Sequence, residues 1–226
     1  MESNKKIGID VGGSHVTVSV FENNSAEKQS QVVIRKEINS KENPLAIISD
    51  FGSCITEVLI GGTTVDAVGI AFPGPFNYEK GVSEIIGVGG KFEQTFGVHV
   101  QQALKNFTGL VDTPFVFAND AHCFAEGAYF RHHLKSKRTV FLTLGTGFGS
   151  AFMIDGDLVE KHSDVPENGV FYDKPFLGTI ADDCFSPRWI LGEYKRISGE
   201  TIESVKTIAL LNTDVSNAVF RTFGAN

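Results

Sequence analysis

The chain has 226 residues, 42% of them hydrophobic and 21% charged, a composition that is typical of globular proteins and excludes the disordered and fibrous classes. Its formal net charge of −7, without a dense stretch of Lys and Arg, argues against a basic face that binds nucleic acid. The polar amino terminus and the lack of any run of about 18 apolar residues predict neither a signal peptide nor a membrane span, and therefore a cytoplasmic protein.

The first half of the chain has the pattern of an α/β unit. Apolar residues alternate in two runs on either side of the turn Asp10–Ser14, as they do in a β-hairpin. Apolar spacing further along predicts a helix that begins at Pro44 and a continuous apolar strand that ends at Pro73–Pro75. The predicted strands are 5–11, 16–21, 32–38, 65–72 and 114–118, and the predicted helices are 44–59, 96–107 and 120–131. We assign residues 1–118 to an amino-terminal lobe.

The second half repeats the opening layout of strand, glycine-rich turn and return strand, with the turn at Gly145–Gly149. The predicted strands are 139–144, 150–154 and 158–159, and the predicted helices are 187–197, 201–211 and 215–223. Residues 119–226 are assigned to a carboxyl-terminal lobe. The fold class expected from both halves is α/β.

The two glycine turns predict a clamp for phosphate groups. A residue without a Cβ lets backbone N–H groups approach an anion closely, and neighbouring hydroxyls add donors. Asp10 cannot face a phosphate directly, so we expect it to hold Mg²⁺ or a water bound to that ion. The predicted nucleotide-binding residues are Asp10, Gly12, Gly13, Ser14, Gly145, Thr146 and Gly147. The alternative is that these glycines only form turns. The sequence contains no P-loop motif, which argues against a P-loop enzyme.

Asp120 is the candidate catalytic base. It follows a predicted buried strand and begins a predicted helix, where the helix dipole favours a carboxylate. Ligands of α/β proteins bind at the carboxyl ends of strands, so this carboxylate could accept a proton from an attacking hydroxyl. The alternative is that Asp120 caps the helix and that Asn119 is a turn residue.

These residues together resemble the ROK family of bacterial sugar kinases and sugar-responsive repressors. Residues 7–14 and 142–149 are similar to its two phosphate motifs, residues 68–75 to its Gly-Ile-x-x-Pro-Gly-Pro loop, and residues 119–127 to its catalytic segment. The resemblance implies an actin-like ATPase fold of two ribonuclease-H-like lobes with a cleft between them, and a homodimer. It implies ATP and Mg²⁺ as cofactors and a hexose as substrate. The implied sugar-binding residues are Gly74, Asn119, Asp120 and Glu167, with Asp120 as the base.

The chain departs from the family pattern at several places. Pro166–Val170 stands where the family has Gly-Glu-x-Gly-His, so Glu167 can accept sugar hydroxyls but Val170 supplies no imidazole. The region of the family's cysteine-rich zinc cluster contains only Cys184, so no structural zinc is expected. The loop Gly87–Phe92 lacks the asparagine that often contacts sugar. The family's adenosine-binding segment is missing, so the second lobe is expected to be incomplete, unless a second polypeptide supplies that segment.

The leading hypothesis is an ATP-dependent hexose kinase of glucokinase type. The first alternative is a non-catalytic sugar-binding sensor, or a truncated remnant of a ROK kinase or regulator. A DNA-binding repressor is not favoured, because the sequence begins directly with its first predicted strand. Another actin-like ATPase, such as an acetate-kinase-like enzyme or an N-acetylglucosamine kinase, is a further alternative. ATP and polyphosphate remain alternative donors, since both would meet the same backbone N–H groups.

Overall fold

The structure is a computed structural model, and it describes residues 5–22, 30–87, 90–135, 137–145 and 147–225. The chain divides into two units, Met1–Cys123 and Phe124–Asn226. Each unit has a sheet of its own. Within the described residues, no helix is long and apolar enough to cross a membrane.

The first unit is built around a five-stranded sheet. The strands of this unit are β1 (Lys5–Val11), β2 (His15–Glu22), β3 (Ser30–Glu37), β4 (Ala67–Phe72), β5 (Phe76–Asn77), β6 (Val82–Ser83) and β7 (Phe115–Asn119). Its helices are α1 (Pro44–Val58), α2 (Val100–Thr108) and the start of α3 (Asp120–Arg131). The sheet has the order β3-β2-β1-β4-β7, in which β1, β4 and β7 are parallel to one another and β2 is antiparallel to both of its neighbours, β1 and β3. The two-residue strands β5 and β6 form a separate hairpin.

The core of this unit lies on one face of the sheet. Alternate residues of the strands, among them Ile7, Val18 and Ile70, are at most 3% exposed, and α1 and α2 add Phe51 and Leu104 to the same buried cluster. Full burial of one such side chain stabilises the fold by about 1.5–3 kcal/mol. Apolar residues alternate along these strands because only one face of the sheet is buried in the core.

The second unit contains the rest of α3 and a three-stranded sheet of order β10-β9-β8. The strands of this unit are β8 (Arg138–Leu144), β9 (Phe148–Ile154), β10 (Asp157–Leu158), β11 (Pro175–Phe176) and β12 (Thr179–Ile180). The last two pair with each other in a separate hairpin. The further helices of this unit are α4 (Ala181–Cys184), α5 (Pro187–Ser198), α6 (Val205–Leu211) and α7 (Asp214–Ala225). Ala125 of α3 is buried against Ala151 and Met153 of β9, and a second buried cluster joins α5, α6 and α7.

The structure confirms the α/β class and most predicted elements. The helix predicted over 120–131 is α3 with the same bounds, and the hairpin around Asp10–Ser14 is formed by β1 and β2. The helix predicted over 96–107 begins only at Val100, because Gly97 has a left-handed φ of 76° and interrupts a regular helix. Pairs of two-residue strands and the four-residue α4 were not predicted, since segments this short have no apolar periodicity.

Candidate active site

The carboxyl ends of parallel strands bring several predicted site residues to one edge of the first unit's sheet. The register pairs Asp10 of β1 with Ala71 of β4, and Phe72 of β4 with Asn119 of β7. Asp10 and the Asn119–Asp120 pair therefore lie at the same edge, and the loop that contains Gly74 leaves β4 there. This edge is where open α/β sheets bind their ligands.

Hydrogen bonds hold both ends of the Asn119 amide. Its Oδ1 accepts from the backbone N–H of Ala121 at 3.0 Å and from that of His122 at 3.2 Å. Asn119 is therefore a helix cap for α3, a role that the sequence suggested for Asp120 instead. Its Nδ2 donates to the Tyr78 hydroxyl at 3.1 Å. A primary amide has two N–H donors, so Nδ2 can donate a second hydrogen bond to a ligand.

Tyr78 connects the loop after β4 to Asn119, a role that sequence reasoning missed. Its hydroxyl donates to the backbone oxygen of Phe72 at 3.1 Å while it accepts from Asn119. A Cβ at Gly74 would lie 3.2 Å from the Tyr78 hydroxyl and 3.8 Å from Asn119 Nδ2. The glycine therefore lets the loop approach the Tyr78 hydroxyl closely, while the distance to Asn119 is an ordinary contact. No local pattern marks Tyr78, because its contact spans 41 residues of sequence.

Asp120 is half-buried at the start of α3, where its Oδ1 accepts from the backbone N–H of Ala121 at 3.0 Å. Burial raises the pKa of the Asp120 carboxyl above its ordinary value. The Ala121 hydrogen bond opposes this rise, whereas the negative charge of Asp10 adds to it. A raised pKa makes a carboxylate a stronger proton acceptor, which is the property that a general base needs.

The first glycine turn presents its polar groups at the same sheet edge. The Gly12 N–H donates to the His15 backbone oxygen at 2.9 Å, so this donor closes the hairpin. Asp10 and Ser14 are both exposed. An exposed carboxylate next to this turn fits the expected Mg²⁺ role, through a bound water. Across the described ranges there is no cluster of three or more His, Cys, Asp or Glu residues that could hold a metal ion.

The second glycine turn lies in the second unit, and a carboxylate closes it. The Gly145 N–H donates to the Gly147 backbone oxygen at 3.1 Å, and the Phe148 N–H donates to Asp182 Oδ1 at 2.6 Å. A Cβ at Gly147 would lie 3.0 Å from that Asp182 oxygen. The Gly145 N–H is thus used inside the turn, and Asp182 is a residue that sequence reasoning missed. The predicted Thr146 lies outside the described residues.

Glu167, the remaining predicted sugar-binding residue, is exposed in the second unit. It begins a 3₁₀ turn, Glu167–Gly169, in which Asn168 and Gly169 have left-handed φ values of 62° and 66°. The first unit therefore brings together Asp10, the Gly74 loop, Asn119 and Asp120. The second unit holds Glu167 and the second glycine turn.

A protein-family model described as the ROK family matches residues 6–169. The N-acetyl-D-glucosamine kinase of Aliivibrio fischeri is 27% identical over 162 residues, which cover 70% of this chain and 49% of that protein. The glucokinase of Streptomyces coelicolor is 26% identical over 157 residues, covering 69% of this chain and 45% of that protein. The chain thus spans about half the length of these curated relatives.

The fold is similar to that of solved ROK structures. The ROK family glucokinase from Streptomyces griseus, in complex with glucose and AMPPNP, superposes with a TM-score of 0.74 at 18% identity. That match covers 97% of this chain and 75% of the glucokinase chain. A ROK family transcriptional regulator, described as a homologue of the E. coli Mlc protein, superposes with a TM-score of 0.71 at 15% identity. That match covers 97% of this chain and 59% of the regulator chain. These likenesses show the mixed α/β fold of the sugar-kinase structures.

Proposed function

The chain belongs to the ROK family, and on that premise we propose that it catalyses the ATP-dependent phosphorylation of a hexose. The observation that carries the proposal is the position of Asn119 and Asp120 at the end of β7, on the sheet edge that also holds Asp10 of β1. This edge combines a sugar-binding amide and a basic carboxylate with a glycine turn suited to phosphate. The relatives named as N-acetylglucosamine kinase and glucokinase support the same class of reaction.

In the proposed reaction, the Asp120 carboxylate takes the proton from a sugar hydroxyl as that oxygen attacks the terminal phosphorus of ATP. One phosphorus–oxygen bond forms to the sugar, and the bond to the leaving ADP breaks. The raised pKa of Asp120 strengthens it as the proton acceptor. Mg²⁺ near Asp10, when bound, supplies positive charge to the phosphates. Catalysis then depends mainly on how the first glycine turn and Asn119 orient the reactants.

The sugar is proposed to bind against the loop of Gly74 and the amide of Asn119. Tyr78 orients that amide through its hydroxyl, so the remaining Nδ2 donor has a set direction. Glu167 is proposed to accept a hydrogen bond from a sugar hydroxyl. The histidine of the family pattern is absent, because Val170 stands in its place. Because relatives of similar identity are named for an N-acetylated and for an unmodified sugar, both classes belong in any substrate test.

The second candidate is a sugar-binding sensor without catalysis. The second glycine turn favours it, since a carboxylate of Asp182 lies against Gly147 and the Gly145 N–H is used within the turn. Arg188 pairs with this carboxylate and offsets its charge. What opposes a phosphate at this turn is that the Gly145 and Phe148 N–H groups already donate to acceptors within the protein. The similarity to a ROK transcriptional regulator is consistent with such a role.

The experiment that separates the two candidates is a coupled assay of ADP release with glucose, mannose, N-acetylglucosamine and N-acetylmannosamine. Calorimetric titrations of ATP and of each sugar accompany it. Sugar-dependent ADP release supports the kinase and identifies its substrate. Sugar binding without ATP binding or turnover contradicts the kinase and supports the sensor.

A further inference from the structure

The side chain of Lys91 lies against the first glycine turn. A Cβ at Gly13 would lie 2.9 Å from Lys91 Cδ and 3.3 Å from its Nζ. The absence of a Cβ at residue 13 therefore leaves room for the end of this long side chain against the turn. Lys91 is half-buried, and its ammonium group lies beside the turn that joins β1 to β2.

Tertiary hydrogen bonds fix the loop of Lys91 relative to that turn. The next residue, Phe92, is 1% exposed in the core, and its N–H donates to the Ser40 backbone oxygen at 2.7 Å. The hydroxyl of the same Ser40 donates to the Gly13 backbone oxygen at 2.7 Å. One serine thus ties the Lys91 loop and the glycine turn together. These hydrogen bonds hold the backbone next to Lys91 close to the turn, and the extended Lys91 side chain places the ammonium beside it.

Two further basic side chains lie near the Lys91 loop or the glycine turn, although the chain carries a formal net charge of −7. Lys41 approaches the same loop, with its Cε 3.7 Å from where a Cβ at Gly90 would lie. The imidazole of His15 lies next to the turn, 3.4 Å from the Ser14 hydroxyl through its Nδ1. Asp10 is the acidic group that precedes the turn. An ammonium is a compact charge with three donors, which suits phosphate oxygens.

We propose that Lys91 binds a phosphoryl group of the phosphate donor at the turn Gly12–Ser14. Its ammonium donates a charge-assisted hydrogen bond to a phosphoryl oxygen and offsets the negative charge there. This inference rests on the proposed function, because it takes that turn as the place of the donor's phosphates. The triphosphate of ATP and an inorganic polyphosphate share the chemistry that Lys91 would recognise.

The test is a calorimetric titration of two probes, ATP and inorganic tripolyphosphate, each with Mg²⁺, into four proteins. The first is the unaltered chain. Lys91→Met keeps the aliphatic stem that packs on Gly13 and removes the charge, so a purely structural role would leave affinity unchanged. Lys91→Arg keeps the charge. Lys6→Met removes an exposed lysine at the opposite end of β1 and is the matched control.

The expected result is that Lys91→Met weakens binding of the donor probe by about tenfold, the effect of losing one hydrogen bond to a charged group. Lys91→Arg should retain most of the affinity, and Lys6→Met should match the unaltered protein. The affinity of the unaltered protein should also fall more steeply with salt than that of Lys91→Met. An effect on both probes supports recognition of the phosphate chain alone, and an effect on ATP alone supports a nucleotide donor.

Two results would overturn the inference. One is equal affinity of Lys91→Met and the unaltered protein for every probe that binds. The other is an unaltered protein that binds neither ATP nor tripolyphosphate. Failure of the proposed function looks different: the unaltered protein would bind tripolyphosphate through Lys91 and yet phosphorylate no sugar.

Discussion

Replacement of Asp120 by asparagine tests the proposed base with little change in shape. The amide oxygen can still accept the Ala121 N–H that Asp120 Oδ1 accepts at 3.0 Å, so the first turn of α3 keeps this hydrogen bond. The substitution removes the negative charge and the ability to accept a proton. General base catalysis contributes about 10²–10⁴-fold, or about 3–5 kcal/mol in the activation barrier. We therefore expect Asp120→Asn to lower kcat by this factor and to leave the sugar Kd nearly unchanged.

The same substitution should not destabilise the first unit. Because the pKa of Asp120 is raised in the folded state, the folded protein binds its proton more tightly than the unfolded chain does. The stability that this group contributes is therefore full below the unfolded pKa and is lost as pH rises through the folded pKa. At neutral pH the ionised carboxylate opposes folding, and an uncharged amide should give an equal or higher Tm.

The assay is coupled ADP release at saturating sugar and ATP, with sugar affinity from calorimetry and Tm from thermal unfolding. Asp112→Asn, at an exposed loop position of the same unit, is the control and should behave as the unaltered protein. Turnover of Asp120→Asn within threefold of the unaltered enzyme would refute the assignment of the base. A lower Tm would refute the argument that the buried carboxylate opposes folding.

Other perturbations address the groups around Asp120. Asp10→Asn should move the acid limb of kcat/KM to lower pH, because the Asp10 charge raises the pKa of Asp120; a limb that stays in place contradicts this coupling. Tyr78→Phe should lower the free energy of unfolding by about 1–3 kcal/mol and raise the sugar KM more than it changes kcat, since Asn119 loses its partner. In Gly145→Val the added Cβ meets no atom within 4 Å, so the unit should fold normally. Calorimetry should then show lowered nucleotide affinity, because the added side chain takes up the open space beside the turn in which a phosphate would lie, and unchanged affinity would remove this turn from the site. Mass spectrometry of the native protein should find no stoichiometric zinc.

Local sequence patterns are enough to predict the order of the elements and the α/β class. Periodicity is a local property, so alternation over 5–11 and 16–21 predicted the β1–β2 hairpin, and the pattern over 120–131 predicted α3. The Asn119–Asp120 pair could be selected as a site for a similar reason, since its position between a strand and a helix is readable along the chain. The catalytic and binding roles assigned to Asn119 and Asp120 stay predictions, as do those of Asp10, Gly74, Glu167 and the two glycine turns.

Tertiary structure alone decided which distant groups support that site. Tyr78 reaches Asn119 across 41 residues, and Lys91 reaches the turn at Gly13 through a loop held by a serine hydroxyl. Asp182 closes the second glycine turn from 34 residues away. A hydrogen bond or side-chain contact between such residues depends on the paths of loops, and those paths follow from how the core packs. Because no periodicity or short motif records these paths, the residues that orient the amide and flank the turns emerge only from the folded chain.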